Sequence, residues 1–158
     1  RSNDLFLGFP HNIVQFTMLQ EIIAGWLKLE LGSYNQISDS LHIYHNDIDN
    51  VFNYRHIEEE INTDKLIFEK KEFDELLNTL KHKIDNTIQS TISKKEHKDL
   101  SEWSNAPRAF QNMLTLLSAE SARRKKWKKL SKEIMVNCSN PIYIQLWNNW
   151  LDRLNPKI

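Results

Sequence analysis

RSNDLFLGFPHNI, residues 1–13, brings charged residues, amides, glycine and proline together at the start of the chain. Residues 4–9 are mainly apolar and are bounded by Gly8 and Pro10, a pattern typical of a short buried strand. Asn12 is a suitable N-cap for a helix that follows. The stretch therefore predicts a strand that leads directly into a helix.

The next segments predict that helix and a second strand. Apolar residues recur at close to helical spacing up to Gly32, on a face broad enough for a largely buried helix. They are Ile13, Phe16, Met18, Leu19, Ile22, Ile23, Trp26 and Leu27. Residues 34–44 then alternate in polarity, which indicates a second strand that is buried on both sides at its far end. Residues 1–60 are thus interpreted as a strand–helix–strand portion.

Residues 61–158 carry a different pattern. A single apolar stripe from Phe73 to Ile92 predicts an amphipathic helix of about 25 residues. Helical periodicity resumes after Pro107 and continues through residue 136, and Asn140–Pro141 opens a last helix with proline at its first position. No strand pattern is found there. The predicted fold class is α+β, with an all-helical C-terminal region of residues 61–158.

Composition favours a soluble, intracellular and helix-rich protein. The 158 residues carry 21 basic and 21 acidic side chains, and Cys138 is the single cysteine. No apolar run reaches the roughly 18 to 20 residues that span a bilayer. One cysteine cannot form an intramolecular disulfide, which fits a reducing compartment. A cytoplasmic protein with no metal site is expected.

Two motifs resemble the thymidylate synthase family. RSNDLFLGFPHNI is similar to its arginine-serine-x-aspartate segment, which leads through leucine-glycine-x-proline to phenylalanine-asparagine-isoleucine. SLHIYHN, residues 40–46, is similar to its histidine-x-tyrosine segment. The motifs occur in the family's order, with a helix between them, and cover residues 1 to about 50. The resemblance implies a partial synthase-type strand–helix–strand unit and a homodimer.

The resemblance assigns the phosphate and the base of deoxyuridylate (dUMP). It places Arg1 and Ser2 on the phosphate, which suits a guanidinium fork and a short hydroxyl; the alternative is a loose terminus. A carboxamide at Asn12 can accept from uracil N3–H and donate to O4, whereas cytosine reverses that pattern. Asn12 therefore favours a uracil substrate, the alternative being that it only caps the helix.

The same resemblance assigns the sugar and the folate. His42 and Tyr44 lie two apart on the predicted strand, so their side chains share a face, and the family uses this pair for the 3′-hydroxyl. The alternative is a structural histidine and tyrosine. Asp4 is expected to contact the folate and order the base. Gly8, interpreted as part of a strand, is expected to let the backbone approach the ligand.

Departures from the family pattern limit the resemblance. His11 stands where phenylalanine is usual, Ser40 where aspartate is usual, and Asp47 where a histidine is common. The family's nucleophilic cysteine lies upstream of the arginine-serine segment. Cys138 lies in a polar context with no nearby positive charge to favour its thiolate, so it is not expected to be the nucleophile. We therefore expect a C-terminal part of a longer enzyme, inactive alone, with no catalytic residue of its own.

ARRKKWKKLSK, residues 122–132, is the other unusual feature. Basic residues around an aromatic occur in nucleic-acid and anionic-surface binders. A solvated helix or intramolecular charge pairing is the favoured interpretation, so nucleic acid is not an expected partner.

Two function classes remain open. One is folate-dependent C5 methylation of dUMP to dTMP, or hydroxymethylation of a pyrimidine nucleotide, with 5,10-methylenetetrahydrofolate as the one-carbon donor. The other is a non-catalytic synthase remnant fused to a helical interaction module.

Overall fold

The computed structural model describes residues 2–49 and 60–154. In order, the elements are strand β1 (Ser2–Asp4), helix α1 (Gly8–Leu27), strand β2 (Ser40–His42), a 3₁₀ turn (His45–Asp47) and five further helices. Those helices are α2 (Lys70–Thr87), α3 (Lys94–Leu100), α4 (Arg108–Arg124), α5 (Lys128–Met135) and α6 (Pro141–Leu154). The described residues are mostly helical and include a two-stranded sheet, consistent with the α+β class.

The described residues group into two compact units. Unit 1 contains residues 2–49 and 66–70, and unit 2 contains residues 60–65 and 71–154. Unit 1 holds β1, α1 and β2, and unit 2 holds the other helices apart from the first residue of α2. The division of the chain at residue 60 into a nucleotide-binding portion and a helical region stays a prediction.

The two strands of unit 1 pair in parallel. Ser2 lies opposite Ser40, Asn3 opposite Leu41 and Asp4 opposite His42. Parallel strands need a long crossover connection, and α1 supplies it. The strand predicted over residues 34–44 is wrong in extent, since only Ser40–His42 form β2. The partner strand β1 offers only three residues to pair with.

Helix α1 begins earlier than the sequence indicates. The two carboxylate oxygens of Asp4 accept the backbone N–H groups of Phe6 at 3.0 Å and Leu7 at 3.3 Å, so the chain turns immediately after β1. Of the strand predicted over residues 4–9, only Asp4 lies in a strand; residues 5–7 form a turn and residues 8 and 9 begin α1. Leu7 is the N-cap, and Asn12 lies inside the helix, so its predicted capping role is wrong.

Helix α1 ends at Leu27, before the predicted stop at Gly32. Lys28 takes the left-handed conformation at φ 55°, and the N–H of Leu29 reaches back to the carbonyl of Ala24 at 2.9 Å. This is the Schellman ending of a helix, in which a left-handed residue satisfies the last carbonyls.

Residues 66–70 form a strap across the end of α1. The backbone N–H of Leu66 donates to Glu21 Oε1 at 2.8 Å, and Lys28 pairs with Glu69 at 2.7 Å. A Cβ on Gly25 would lie 2.9 Å from the nitrogen of Phe68 and 3.0 Å from Ile67 Cα. The strap therefore requires glycine at position 25.

The apolar face of α1 is largely exposed, contrary to the predicted burial. Among its residues only Ala24 and Gly25 are buried. A sheet of three-residue strands is too short to cover a 20-residue helix. The exposed apolar side chains are Val14, Phe16, Met18, Leu19, Ile23 and Leu27.

The core of unit 2 lies between α4, α5 and α6. Ala122 of α4, Ile134 of α5 and Trp147 of α6 are buried in one hydrophobic cluster. Phe110 of α4 is also fully buried. Phe73 of α2 meets Phe110 edge-to-face at 5.8 Å between ring centroids. Within residues 60–154 the structure contains no strand, as the sequence pattern indicates.

Two helices predicted as continuous are broken. The amphipathic helix ends at Thr87 rather than Ile92, and a reciprocal capping box of Ser93 and Glu96 starts the separate helix α3. The stretch after Pro107 breaks at Lys126, whose φ is 63°. The N–H of Trp127 donates to the carbonyl of Ala122 at 2.9 Å, which completes a second Schellman ending.

A buried polar cluster holds the last helix in place. Asn112 Nδ2 donates to both oxygens of Asp64, at 2.9 and 3.0 Å, and Asn140 Nδ2 donates to Asp64 Oδ2 at 2.8 Å. Asn140 Oδ1 accepts the N–H of Ile142 at 3.1 Å and so caps α6, which begins at Pro141 as predicted. In the described ranges, no helix is long and apolar enough to cross a membrane.

Candidate functional site

A polar cleft in unit 1 brings the first motif beside the loop that follows α1. It encloses about 650 Å³ and is lined mainly by amides. Asn3 comes from β1, Asn12 from the second turn of α1, and Asn35 and Gln36 from the loop. Aromatic and aliphatic carbon is supplied by Phe16, Tyr34 and Ile37. A polar planar ring with apolar faces suits such a lining.

Hydrogen bonds orient the amides of this cleft. Asn3 Nδ2 donates to Ser38 Oγ at 3.2 Å, so Asn3 presents its oxygen to Asn12. Asn12 Nδ2 then donates to Asn3 Oδ1 at 3.0 Å. A carboxamide has two donor hydrogens and two acceptor lone pairs, so one such bond leaves Asn12 able to offer a further donor–acceptor pair. Because Leu7 is the N-cap of α1, capping does not compete for that pair.

His42 and Tyr44 are brought together at the end of β2. Their rings meet edge-to-face with centroids 5.2 Å apart and planes at 87°. The carbonyl of His42 accepts the N–H of Leu5 at 2.8 Å, which fixes the histidine backbone beside the first motif. Tyr44 is 61% exposed. The structure thus places side by side the imidazole and the phenol that the resemblance assigns to one sugar hydroxyl.

Asp4 and Gly8 shape the turn between β1 and α1. Each carboxylate oxygen of Asp4 accepts one backbone N–H, which leaves each oxygen a further lone pair. Gly8 is the first residue of α1, so its interpretation as a glycine within a binding strand is wrong. A Cβ there would lie 3.4 Å from Asn3 Oδ1 and 3.5 Å from Asp4 Cβ. Gly8 therefore borders Asn3, which lines the cleft, and Asp4, which forms the turn.

The structure describes the other residues of the first motif to different extents. Arg1 lies outside the described residues. Ser2 is described only through its backbone, which pairs with Ser40 in the sheet. His11 donates from Nδ1 to the carbonyl of Leu7 on the surface of α1. The sequence alone missed Asn3 and Ser38, because Asn3 occupies a variable position within the motif and Ser38 lies outside both motifs.

Cys138 lies far from both motifs in the sequence, and its environment does not suit a nucleophile. It lies in unit 2 between α5 and α6, and only 6% of it is exposed. Burial raises the pKa of its thiol, and Sγ donates to the carbonyl of Asn140 at 3.9 Å. A nucleophilic cysteine needs a lowered pKa, so this geometry favours a neutral thiol at pH 7.

The thymidylate synthase family model matches residues 1–85, which is more than half of the chain. The chain belongs to the thymidylate synthase family. The resemblance found in the two motifs is therefore confirmed at the level of the family.

Individual relatives match a shorter part. The chain is 54% identical over 48 residues to deoxyuridylate hydroxymethyltransferase of Bacillus phage SP01, covering 30% of this chain and 12% of that protein. It is 47% identical over 51 residues to thymidylate synthase of Bacillus licheniformis, covering 32% of this chain and 18% of that protein. The chain thus spans less than a fifth of the length of these curated relatives. No solved structure matches.

Proposed function

We propose that these residues form the nucleotide-binding part of an enzyme that transfers a one-carbon unit to C5 of a deoxyuridylate. The observation that carries the proposal is Asn12, a carboxamide in a polar cleft with its orientation set by Asn3. That amide matches the donor–acceptor edge of uracil and mismatches cytosine. Family membership supports a transferase of this type.

Each remaining residue has one proposed contact. Arg1 and Ser2 bind the phosphate, and His42 with Tyr44 binds the sugar hydroxyl. Asp4 and Gly8 border the folate, since each Asp4 oxygen keeps a lone pair after accepting its backbone N–H group. The folate supplies the one-carbon unit. The nucleophilic cysteine is proposed to lie upstream of Arg1, because the thiol of Cys138 is buried.

A homodimer of the intact protein is part of this proposal. The exposed apolar face of α1 supports it, since apolar patches beyond a few hundred Å² usually mark an interaction surface. A strand–helix–strand unit of the synthase type is likewise proposed as the arrangement of residues 1–60.

Calorimetry on the intact gene product tests the substrate. It should bind dUMP at least about tenfold more tightly than deoxycytidylate, because a mispaired buried polar group costs about 1 to 3 kcal/mol. Asn12→Asp should shift the preference toward deoxycytidylate. Asn35→Asp places the same charge in the same cleft, outside the proposed base edge, and should leave the preference unchanged. Equal affinities for both nucleotides in the unsubstituted protein would refute the role of Asn12.

Hydroxymethyl transfer is the second candidate, and the match to the phage hydroxymethyltransferase favours it. Both reactions would begin on the same bound uracil, so the cleft does not separate them. Mass spectrometry of the product does, because the hydroxymethyl nucleotide is heavier than thymidylate by one oxygen atom. The 158-residue chain by itself should release no tritium from C5-labelled dUMP with methylenetetrahydrofolate present. Turnover by this chain that is lost on Cys138→Ser would overturn the assignment of the nucleophile.

A further inference from the structure

A second cleft lies entirely within unit 2, where α3 approaches the start of α5. It encloses about 600 Å³ and has Trp127 and Leu130 among its lining residues. Its other lining residues are mostly cationic: Lys94, Lys95, Lys98, Lys126, Lys128 and Lys129. Glu133 is an acidic neighbour and lies 3.9 Å from Lys129. The sequence separates the two lysine groups by about thirty positions, so only the fold brings them together.

Trp127 is held in a fixed position in this cleft. The buried ring of His97 meets its indole edge-to-face, with ring centroids 5.6 Å apart. Lys125 and Lys94 place their Nζ atoms 5.1 and 6.0 Å from the centroid of the indole. An indole fixed by the core and surrounded by cations offers a stacking surface beside positive charge. Every nucleobase has a face that can stack on it.

The break between α4 and α5 creates this arrangement. Lys126 adopts a left-handed conformation at φ 63°, which is unfavourable for an L-residue, and glycine is the usual residue there. An uninterrupted helix would distribute Lys126, Trp127 and Lys128 around its circumference. The turn instead places all three on the lining of one cleft.

The two arginines of the basic segment behave differently from its lysines. Arg123 and Arg124 both bind Glu120, at 2.6 and 2.8 Å, and the pKa of Glu120 is lowered mainly by its hydrogen bond from Arg123. This is the intramolecular charge pairing expected from the sequence. Both arginines are therefore paired with a carboxylate, whereas the six lysines that line the cleft share one acidic lining residue, Glu133.

Several like charges in one cleft repel one another, and a polyanion removes that repulsion while releasing its counterions. A membrane surface fits less well, because interfacial binding needs an exposed apolar face and Leu130 is buried. We propose that this cleft binds single-stranded nucleic acid, with a base stacked on Trp127 and phosphates contacted by the lysines. The cleft shares no residue with the nucleotide cleft of unit 1 and goes beyond the proposed function.

Fluorescence anisotropy of a labelled oligothymidylate of about 15 nucleotides tests the proposal on the 158-residue chain. Lys95→Ala/Lys128→Ala should weaken binding about tenfold at low salt and flatten the salt dependence by about 1.4 in log–log slope, since each single-strand phosphate contact contributes about 0.7. Lys71→Ala/Lys81→Ala removes the same charge from exposed positions on α2 and should change affinity less than about twofold.

Trp127→Leu should weaken binding about 5- to 100-fold with little change in salt slope, because it removes stacking and no charge. Circular dichroism and melting check its fold; if it unfolds, Trp127→Phe, which keeps an aromatic ring, should bind more weakly than the unsubstituted chain. No binding at about 50 mM salt would overturn the proposal. So would equal losses in the two lysine pairs, or binding to anionic phospholipid vesicles without binding to the oligonucleotide.

Discussion

Asn12 Nδ2 donates to Asn3 Oδ1 at 3.0 Å, and Asn3 is itself fixed by a bond to Ser38 Oγ at 3.2 Å. The orientation of the Asn12 amide is therefore determined by a residue of the preceding strand and by a loop residue 35 positions farther along. If the proposed substrate is correct, Asn3 is a positioning residue that helps the protein distinguish uracil from cytosine.

Asn3→Ala should lower that discrimination. Without the oxygen of Asn3, the Asn12 amide can rotate by half a turn and present the pattern that suits cytosine. The preference for dUMP over deoxycytidylate should fall by about tenfold, the equivalent of one mispaired polar group. Calorimetric affinities of the intact protein measure it, and Asn35→Ala in the same cleft is the control. An unchanged ratio in Asn3→Ala would show that Asn12 needs no such support.

Gly25→Ala should destabilise unit 1. The added methyl group would lie 2.9 Å from the backbone nitrogen of Phe68, so the strap must move. Overpacking of this kind costs about 1 to 3 kcal/mol. At Gly32 a Cβ would meet only Gln20 Nε2, at 3.9 Å, and Gly32→Ala should change stability by less than about 0.5 kcal/mol. Urea midpoints compare the two; equal midpoints would mean that the strap does not depend on this contact.

Asn112→Ala should weaken unit 2 strongly. Asn112 is 1% exposed and supplies two hydrogen bonds to the buried carboxylate of Asp64. Leaving a buried charged group without these donors should cost about 3 kcal/mol or more. Asn78→Ala, at an exposed position on α2, provides the matched control. Thermal unfolding of both variants measures the difference, and a loss below about 1 kcal/mol in Asn112→Ala would contradict the role of the cluster.

His97 should make the stability of unit 2 depend on pH. Its pKa is lowered from 6.5, chiefly by burial. The unfolded chain therefore binds a proton at pH values where the folded chain does not. The contribution to stability is complete above pH 6.5 and decreases as the pH falls from there toward the lower pKa of the folded state.

Unfolding free energies measured between about pH 7 and 5 check this expectation. His97→Gln should flatten the decline, whereas His82→Gln, at an exposed position on α2, should leave it in place. An identical pH dependence in His97→Gln and the unsubstituted chain would remove His97 from the explanation.

The sequence anticipated features that depend on neighbours along the chain. The apolar stripe of α2 and the Asn140–Pro141 start of α6 both arise from local spacing and capping, and both are present. The family resemblance likewise rests on contiguous motifs. Local patterns failed where a side chain acts over a few residues in an unexpected way, as when Asp4 turns the chain and starts α1 four residues before Asn12.

Other features depend on partners far away in the sequence. Strand β2 pairs with a strand of only three residues and is itself three residues long. The alternation of residues 34–44 does not contain this information. The left-handed residue after α4 is Lys126, so the sequence has no glycine there to indicate where the helix ends. Asp64 and Asn112 are ordinary polar residues in the sequence, and their pairing 48 positions apart follows only from the packed helices.

The strap gives the chain an interleaved order. Residues 60–65 belong to unit 2, residues 66–70 return to unit 1, and residue 71 enters unit 2 again. A truncated protein that stops at residue 65 would retain both strands and α1 yet lose the segment that packs on Gly25 and pairs Glu69 with Lys28. A shorter version meant to keep the nucleotide cleft should therefore extend through residue 70, and no single proteolytic cut can separate the two units cleanly.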